Sequence, residues 1–421
     1  MTPRDILLTG CSELLTLRGP APRRGTALRD AGIIRDGAVL IRGGQIAAVG
    51  SRREIEKLPE ARRARKLDLG GRVVLPGLVD SHTHLVFPAT RVREYEMRLA
   101  GAGYEEIAGA GGGILSSVKR LRATPAATLE QQASRWLKVF AEHGTTTVEA
   151  KSGYGLDFAN EWKILQVQRR LAERGPVEIV STFLGAHVPP PKFRANPDAY
   201  IDLIARSWLP RIVNARLAEY CDVFCDRGAF TVAQSRRLLT AAHALGMGLR
   251  LHGEQIARTG AARLGVELGA ASVDHLDQVN DGDIRALAVS NTVAILLPGC
   301  SFHLGLAKYA PARKLIAVGA IVALATDFNP GTCPSPSMTM ALSLACAQMR
   351  MSPAEAIAAA TINPAFSLGR HDRIGSLDAG KDADIAVFDL ADHREIPYHF
   401  GVNLCCLTMK RGTILHSRLP L

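Results

Sequence analysis

Histidines and one aspartate stand at, or directly after, the ends of short apolar runs that are far apart in the chain. These residues are His82, His84, His187, His252, His275 and Asp327. Side chains alternate along an extended strand, so the imidazoles of His82 and His84 point to the same side. That pair alone is equally typical of two surface histidines near a turn. Together with His252 and Asp327 it offers three neutral nitrogens and one carboxylate, which suit Zn2+ or iron and leave room for a water.

A metal in such a set changes the chemistry of water. It lowers the pKa of a bound water to about 7, so hydroxide becomes available at neutral pH. Asp327 can take the proton of that water and later pass it to a leaving nitrogen, acting first as general base and then as general acid. The residues therefore predict a metal-dependent hydrolase in which water is the nucleophile.

The chain contains eight short apolar runs, and five of them lead into these polar positions. The runs cover residues 73–79, 145–149, 177–184, 220–224, 248–251, 271–273, 292–297 and 320–325. Helix-like stretches such as 160–174 and 231–245 lie between them, and alternating units of this kind predict a parallel sheet covered by helices. Eight units close a (β/α)8 TIM-like barrel, here over residues 73–373. Such barrels place function at the C-terminal ends of their strands, where the histidines lie.

Short alternating segments flank the barrel at both termini. Residues 38–41 and 45–49, separated by Gly43 and Gly44, have the pattern of a hairpin. The stretches 374–387 and 407–415 look similar. Neither terminus is long enough to bury a core alone. We therefore predict an α/β protein whose residues 1–72 and 374–421 form one small composite β-sandwich domain beside the barrel.

Composition excludes several classes of protein and of partner. Of 421 residues, 47% are hydrophobic and 22% charged, which argues against disorder and coiled coils. The net charge is +11, and residues 1–66 carry 14 Lys+Arg against 7 Asp+Glu. That segment has no aromatic residue on which bases could stack, so a solvated surface is favoured over nucleic-acid binding. Asp5 and the brief apolar run after it do not make a signal peptide. We expect a cytoplasmic protein with no membrane partner.

Two segments resemble the amidohydrolase superfamily. Residues 76–84, Pro-Gly-Leu-Val-Asp-Ser-His-Thr-His, resemble its first-strand signature, and residues 375–387 resemble its C-terminal Gly-Lys-x-Ala-Asp strand. Further runs are similar to the imidazolonepropionase family, whose members open a ring in histidine degradation. These runs are 95–98, 104–107, 110–114, 144–155, 182–187, 251–255 and 325–332. The run through Lys151-Ser-Gly-Tyr154 is far more specific than His-x-His, which many hydrolases and deaminases share.

The resemblance implies hydrolysis of a small-molecule substrate, 4-imidazolone-5-propanoate, at its cyclic amide to give N-formimidoyl-L-glutamate. It implies one Zn2+ or Fe3+ per subunit and a homodimer. The implied metal ligands are His82, His84, His252 and Asp327, with His275 orienting or polarising the reacting carbonyl. The implied substrate-binding residues are Arg91, Tyr154, His187, Gln255, Asn329, Gly331 and Thr332. The guanidinium of Arg91 provides a fixed charge and a bidentate fork for the substrate carboxylate.

Neighbouring activities differ at identifiable positions. Binuclear relatives use a carbamylated lysine at the end of the fourth strand, and here that strand ends in Cys225-Asp226, which favours one metal. Ring deaminases use a glutamate three residues after the fifth-strand histidine. Here that position is Gln255, which cannot titrate, and Glu254 comes one residue early. A related cyclic amidohydrolase or deaminase acting on another small heterocycle stays the alternative; a non-catalytic barrel is disfavoured because all four ligands are present.

The sequence departs from the family around the pocket mouth. Residues 87–90, Phe-Pro-Ala-Thr, replace a stretch that usually contains glycine just before Arg91, and Pro88 stiffens it. Residues 299–302 also vary, as does Phe328. These departures leave room for a shifted substrate preference.

Overall fold

The computed structural model describes residues 5–103, 106 and 109–420. Of the family-like run 104–107, Tyr104, Glu105 and Ile107 lie outside the described residues. The strands, in chain order, are β1 (Ile6–Leu15), β2 (Ile33–Arg35), β3 (Gly37–Arg42), β4 (Gln45–Ser51), β5 (Arg65–Pro76), β6 (Leu78–Thr83), β7 (Thr145–Lys151), β8 (Glu178–Ala186), β9 (Tyr220–Cys225), β10 (Gly248–Gly253), β11 (Ser272–His275), β12 (Val293–Leu296), β13 (Val322–Leu324), β14 (Ile385–Phe388), β15 (Cys405–Lys410) and β16 (Thr413–Ser417).

The α-helices are Arg52–Ile55, Val92–Leu99, Ile114–Ala123, Ala126–Glu142, Phe158–Arg174, Pro197–Leu203, Leu209–Asn214, Val232–Ala244, Ala261–Glu267, Asp281–Ala288, Pro298–His303, Ala312–Ala317, Met338–Met349, Pro353–Ala359, Ile362–Ser367 and Glu395–Tyr398. They include the helices predicted over 160–174 and 231–245. The first of these begins where the Asp157 side chain accepts the Asn160 N–H at 2.9 Å, and it packs Leu165 into the core. Within the described part of the chain, no helix combines the length and apolarity needed to cross a membrane.

Strands β6 to β13 form the predicted barrel. All are parallel, and each pairs with the next strand along the chain. The last strand region returns to the first through a parallel bridge between Thr83 and Phe328. There the Asp327 N–H donates to His82 O at 3.1 Å and the His84 N–H donates to Phe328 O at 2.8 Å. The α/β barrel is therefore confirmed, and it closes at the level of the predicted metal ligands.

The remaining strands build a mixed sheet from both ends of the chain, as predicted. Its order is β16-β15-β14-β5-β1-β3-β4, with β2 paired to β1. The N-terminal and C-terminal parts meet where β5 pairs antiparallel with β14, with Val74 opposite Val387. Both of these side chains lie in one buried cluster with Leu14 and Leu407. The domain boundaries at residues 72/73 and 373/374 stay predictions.

The apolar run 73–79 is divided between the two sheets, so the expectation of one continuous barrel strand there is wrong. Residues up to Pro76 belong to β5 of the mixed sheet, and the barrel strand β6 begins at Leu78. The division falls at Gly77, whose N–H donates to Asp384 O at 2.9 Å. A Cβ at Gly77 would lie 2.4 Å from the Thr146 side chain, so a larger residue does not fit at this crossing.

Candidate active site

The predicted ligands meet at the C-terminal end of the barrel. His82 is in β6 with His84 just beyond it, His252 is in β10, and Asp327 follows β13. All four are almost completely buried. Because neighbouring strand ends of a closed barrel face one cavity, residues separated by 245 positions of sequence numbering come together.

The donor atoms of these four residues converge. Asp327 Oδ1 lies 3.5 Å from His82 Nε2 and 3.7 Å from His84 Nε2. His252 Nε2 lies 3.5 Å from His84 Nε2. His82 Nε2 is buried and has no hydrogen-bond partner among the residues that the structure describes. An unpaired buried polar atom is costly unless a ligand satisfies it. The residues present therefore fit a metal ion.

Burial keeps the imidazoles in the form that binds metals. It lowers the pKa of His82 well below its usual range, and the Lys151 ammonium adds to the effect. It lowers the pKa of His84 in the same way, with a further contribution from His187. Both rings are thus neutral at pH 7, with lone pairs free for a cation. Burial also raises the pKa of Asp327 to about 6, although His252 opposes the shift.

Two aspartates that the sequence reading missed fix the orientation of the ligand rings. His82 Nδ1 lies 2.7 Å from Asp274 Oδ2, and His252 Nδ1 lies 3.0 Å from Asp222 Oδ2. A carboxylate at Nδ1 holds the proton there and directs Nε2 to the metal side. The available signal was Asp222, a charged residue in the middle of the apolar run 220–224.

His275 joins the same cluster from the end of β11. Its ring centroid lies 5.5 Å from those of both His82 and His252. Its backbone has φ 80°, and Asp327 has φ 56°, a region that side chains other than glycine rarely adopt. Such strain costs on the order of 1–3 kcal/mol per residue and is concentrated at functional sites. The surrounding packing therefore holds His275 and Asp327 in this unfavourable backbone conformation.

His187 and Tyr154 extend the site away from the ligands. The His187 ring stacks on His84 at 5.2 Å, and Tyr154 lies 5.7 Å from His84 and 5.8 Å from His187. Burial lowers the pKa of His187 to about 3, so this ring is neutral. The loop that carries Tyr154 is held by the buried Glu161 carboxylate, which accepts the N–H groups of Gly153 at 2.9 Å and Gly155 at 2.7 Å. The sequence analysis also did not identify this role of Glu161.

Arg91 lies against the loop that follows Asp327, despite the unusual residues before it. Its N–H donates to Pro330 O at 2.9 Å, and its side chain is 12% exposed. A Cβ at Gly331 would lie 1.4 Å from Arg91 Nη2, so the guanidinium occupies the space that only glycine leaves open. The guanidinium Nε is buried, and no described residue forms a hydrogen bond with it. Burial raises the pKa of Tyr154, and the charge of Arg91 opposes this rise.

Asn329 organises the 327–332 loop. Its Oδ1 accepts the N–H groups of Gly331 at 2.8 Å and Thr332 at 2.7 Å, and its Nδ2 donates to Asp327 O at 2.6 Å. Thr332 Oγ1 donates to Asp327 Oδ2 at 3.4 Å. The amide of Asn329 is thus engaged within the loop, which brings Thr332 beside the carboxylate.

Gln255 and a cysteine complete the wall next to His275. Gln255 Nε2 donates to Cys300 Sγ at 3.6 Å. Donor atoms of Cys300, His275 and Asp327 lie within 4.8 Å of one another, so the varied run 299–302 places a thiol inside the site. Glu254 is directed elsewhere, because its carboxylate accepts the Thr259 N–H at 2.8 Å at the start of the next helix.

Proteins of similar sequence match this chain over almost its whole length. The amidohydrolase family model matches residues 73–414. The imidazolonepropionase of Symbiobacterium thermophilum is 44% identical over 417 residues, which cover 99% of this chain and 98% of the relative. The imidazolonepropionase of Solibacter usitatus is 48% identical over 398 residues, 94% of this chain and 95% of the relative.

Solved structures share the fold at low identity. An adenosine deaminase from Xanthomonas campestris with bound zinc superposes with a TM-score of 0.71 at 18% identity, covering 99% of this chain and 94% of that chain. An ochratoxinase of A. niger superposes with a TM-score of 0.70 at 17% identity, covering 99% and 96%. At these identities the likeness concerns the architecture alone.

Proposed function

The chain belongs to the amidohydrolase family and, within it, to the imidazolonepropionases, and from this membership we propose how its barrel performs the reaction. The protein hydrolyses the cyclic amide of 4-imidazolone-5-propanoate to N-formimidoyl-L-glutamate in L-histidine degradation. Water adds to the ring carbonyl carbon, the adjacent carbon–nitrogen bond breaks, and the released nitrogen takes up a proton. The substrate is a small molecule, and no nucleic-acid or membrane partner is proposed.

The observation that carries the assignment of the site is the convergence of four buried metal-binding side chains, His82, His84, His252 and Asp327. Within the described part of the chain, His82 Nε2 has no hydrogen-bond partner. Amidohydrolases are metal-dependent, and we assign the ion to His82, His84, His252 and Asp327. One Zn2+ or Fe3+ per subunit matches three imidazoles and one carboxylate. When bound, the ion supplies Lewis-acid activation of water at neutral pH.

Asp327 moves the proton in this scheme. The Thr332 hydroxyl donates to its Oδ2, so the carboxylate is held in place when it accepts the proton of the attacking water. Burial raises the pKa of Asp327 to about 6 in the metal-free chain, where positive charge opposes the shift. The same carboxyl then returns the proton to the ring nitrogen as the bond to carbon breaks.

Further residues around the ligand cluster position the substrate. Arg91, with its guanidinium fixed over Gly331, binds the propanoate carboxylate through a charge-assisted pair. His275 faces the ligand cluster and polarises the reacting carbonyl, while the neutral His187 and Tyr154 provide polar contacts along the ring. We also assign Gln255, Asn329 and Thr332 to substrate binding, with Asn329 and Gly331 near the formimidoyl end.

Another heterocycle is the second candidate substrate, since Pro88 and Cys300 alter the pocket mouth. Deamination is disfavoured by the position of Glu254, whose carboxylate is bound to the amides of Thr259 and Gly260 and does not face the site. The second candidate substrate is therefore a cyclic amide other than the imidazolone. A homodimer and a cytoplasmic location are proposed from the family resemblance.

Metal analysis and an assay for imidazolone ring opening on one sample test the proposal. We expect one metal per chain and turnover that is lost on chelation and restored by zinc or iron. Hydantoins and pterins serve as control substrates. Ring opening unaffected by complete metal removal contradicts the proposed site, and turnover of a control in place of the imidazolone contradicts the substrate.

A further inference from the structure

We propose that Lys151 is a positioning residue that holds two metal-ligand histidines from opposite parts of the barrel in one arrangement. The inference rests on the proposed metal site and names a residue for which the mechanism above has no role. Lys151 ends β7 in the most specific run of the sequence, Lys151-Ser-Gly-Tyr154, of which the substrate contacts use only the tyrosine.

The Lys151 ammonium lies beneath the ligand cluster, and its side chain is 0% exposed. Its Nζ donates to Glu149 Oε1 and to Asp222 Oδ2, each at 2.8 Å, and lies 3.3 Å from Asp274 Oδ2. Burial alone would lower the pKa of Lys151, but these three carboxylates outweigh it and raise the pKa. The lysine therefore stays charged and binds all three.

Two of these carboxylates also contact histidines that we assign as metal ligands. Asp222 contacts His252 Nδ1 at 3.0 Å, and Asp274 contacts His82 Nδ1 at 2.7 Å. A single ammonium thus connects two carboxylate–histidine pairs whose Nε2 atoms face the metal position. Because a carboxylate that orients a ligand histidine affects metal affinity by about 10–100-fold, a group that holds two such carboxylates should act on both ligands together.

The network contains a second buried cation besides Lys151. Arg250, also 0% exposed, lies with its Nε 4.0 Å from Glu149 Oε1. Lys151 and Arg250 face three carboxylates, so replacement of Lys151 and Glu149 together leaves the net charge of the cluster unchanged. Loss of Lys151 alone would leave buried carboxylates uncompensated and unfold the chain for a reason unrelated to the metal.

The test is therefore the double variant Lys151→Met/Glu149→Gln in the full-length protein. Zinc affinity is measured by competition with a chelator, and the visible spectrum of the Co2+ form reports ligand geometry. We expect zinc to bind about 10–100-fold more weakly and the Co2+ spectrum to change. The decrease in kcat should be a larger factor than the change in KM. Unchanged zinc affinity together with an unchanged Co2+ spectrum would overturn the inference.

A matched control is provided by the second buried lysine, Lys410, which contacts Glu178 and Asp384 far from the ligands. Lys410→Met/Asp384→Asn also removes a buried cation and a carboxylate. It should lower thermal stability and leave zinc affinity and the Co2+ spectrum unchanged. Equal losses of zinc affinity in both double variants would show a general effect of stability and refute a specific role for Lys151.

Lys151→Arg decides the question if the first double variant does not fold. It keeps the charge but places its donors differently, so a weaker zinc affinity is expected and an unchanged one contradicts the inference. Failure of the proposed function is recognised separately, because then the unaltered protein itself binds no metal or opens no imidazolone ring.

Discussion

Two buried lysines near the two ends of β7 show how similar ion pairs serve different purposes. Lys151, at the C-terminal end, contacts Asp222 and Asp274, and each of these also contacts a ligand histidine. Lys410, near the N-terminal end, lies 3.3 Å from Thr147 Oγ1 and comes from the mixed sheet. The first lysine lies beneath the candidate metal centre and the second at the junction of the two sheets.

The carboxylates that bind the two lysines differ in their other contacts. Glu178, which accepts from Lys410 at 2.9 Å, also pairs with Arg373 at 2.8 Å and with Arg370 at 3.4 Å. These arginines are partly exposed and end the network at the surface. At the Lys151 end, Asp222 and Asp274 contact the imidazoles of His252 and His82. Among the residues that the structure describes, the buried His82 Nε2 has no hydrogen-bond partner. An ion-pair network that leads to unsatisfied buried atoms is therefore the better indicator of function.

Removal of a ligand at the site end is expected to give the largest effect in the molecule. In His252→Ala the cluster loses one of its three imidazole donors, so metal retention and activity should disappear together, with kcat/KM reduced at least about 1000-fold. Metal content and ring opening are measured on the same preparation. Full turnover by metal-free His252→Ala would remove the metal from the mechanism.

Asp327→Asn separates metal binding from proton transfer. The amide keeps an oxygen for the ion but cannot accept a proton, so some metal should stay bound while kcat falls by about 100–10,000-fold. Isothermal titration with zinc and steady-state kinetics give the two quantities. A kcat close to that of the unaltered protein would assign the proton transfer to another group, with His275 the next candidate.

Gly331→Ala tests the substrate side without altering a charged residue. A Cβ at this position would overlap the Arg91 guanidinium, with 1.4 Å to Nη2, so the arginine must move. We expect KM to rise by about 10-fold or more with a smaller change in kcat, since a displaced charge loses a charge-assisted pair. Arg91→Ala is the reference variant, and its KM should rise at least as far. An unchanged KM in Arg91→Ala would exclude the arginine from carboxylate binding.

The sequence predicts the barrel and the polar side chains that converge at its end, because both depend on local patterns. Seven of the eight apolar runs lead into a polar residue, and a barrel brings those ends together whatever their distance in the chain. Asp222 and Asp274 could not be assigned in the same way. Their roles depend on which neighbouring strand supplies a histidine and which supplies Lys151, and those contacts exist only after the strands are in register.

Two other features show the same limit. The run 73–79 reads as one apolar strand, and only the pairing of Val74 with Val387 and the crowding at Gly77 divide it between two sheets. The sequence marks residues 299–302 only as a departure from the family. The approach of Cys300 to Asp327 depends on where the fold places the helix Pro298–His303.

At the Lys410 end, Glu178→Gln should change stability and its pH dependence while leaving catalysis nearly intact. Burial alone would raise the pKa of Glu178, but Lys410 and the neighbouring arginines outweigh it and lower the pKa to about 2. A carboxyl whose pKa is depressed in the folded state stabilises that state above its unfolded pKa of about 4.3, and the contribution disappears as the pH falls towards 2. The contribution at neutral pH is roughly 3 kcal/mol.

Urea unfolding measured from pH 7 down to pH 3 should therefore show the Glu178→Gln variant less stable at neutral pH and the difference shrinking below about pH 4. Zinc affinity and kcat/KM at neutral pH should stay within about 3-fold of the unaltered protein, because a factor of 3 corresponds to less than 1 kcal/mol. A pH-independent stability difference would mean that the carboxylate charge is not what stabilises the junction. A large loss of zinc affinity would mean that the two ends of β7 are coupled, and the contrast between the two lysines would then no longer hold.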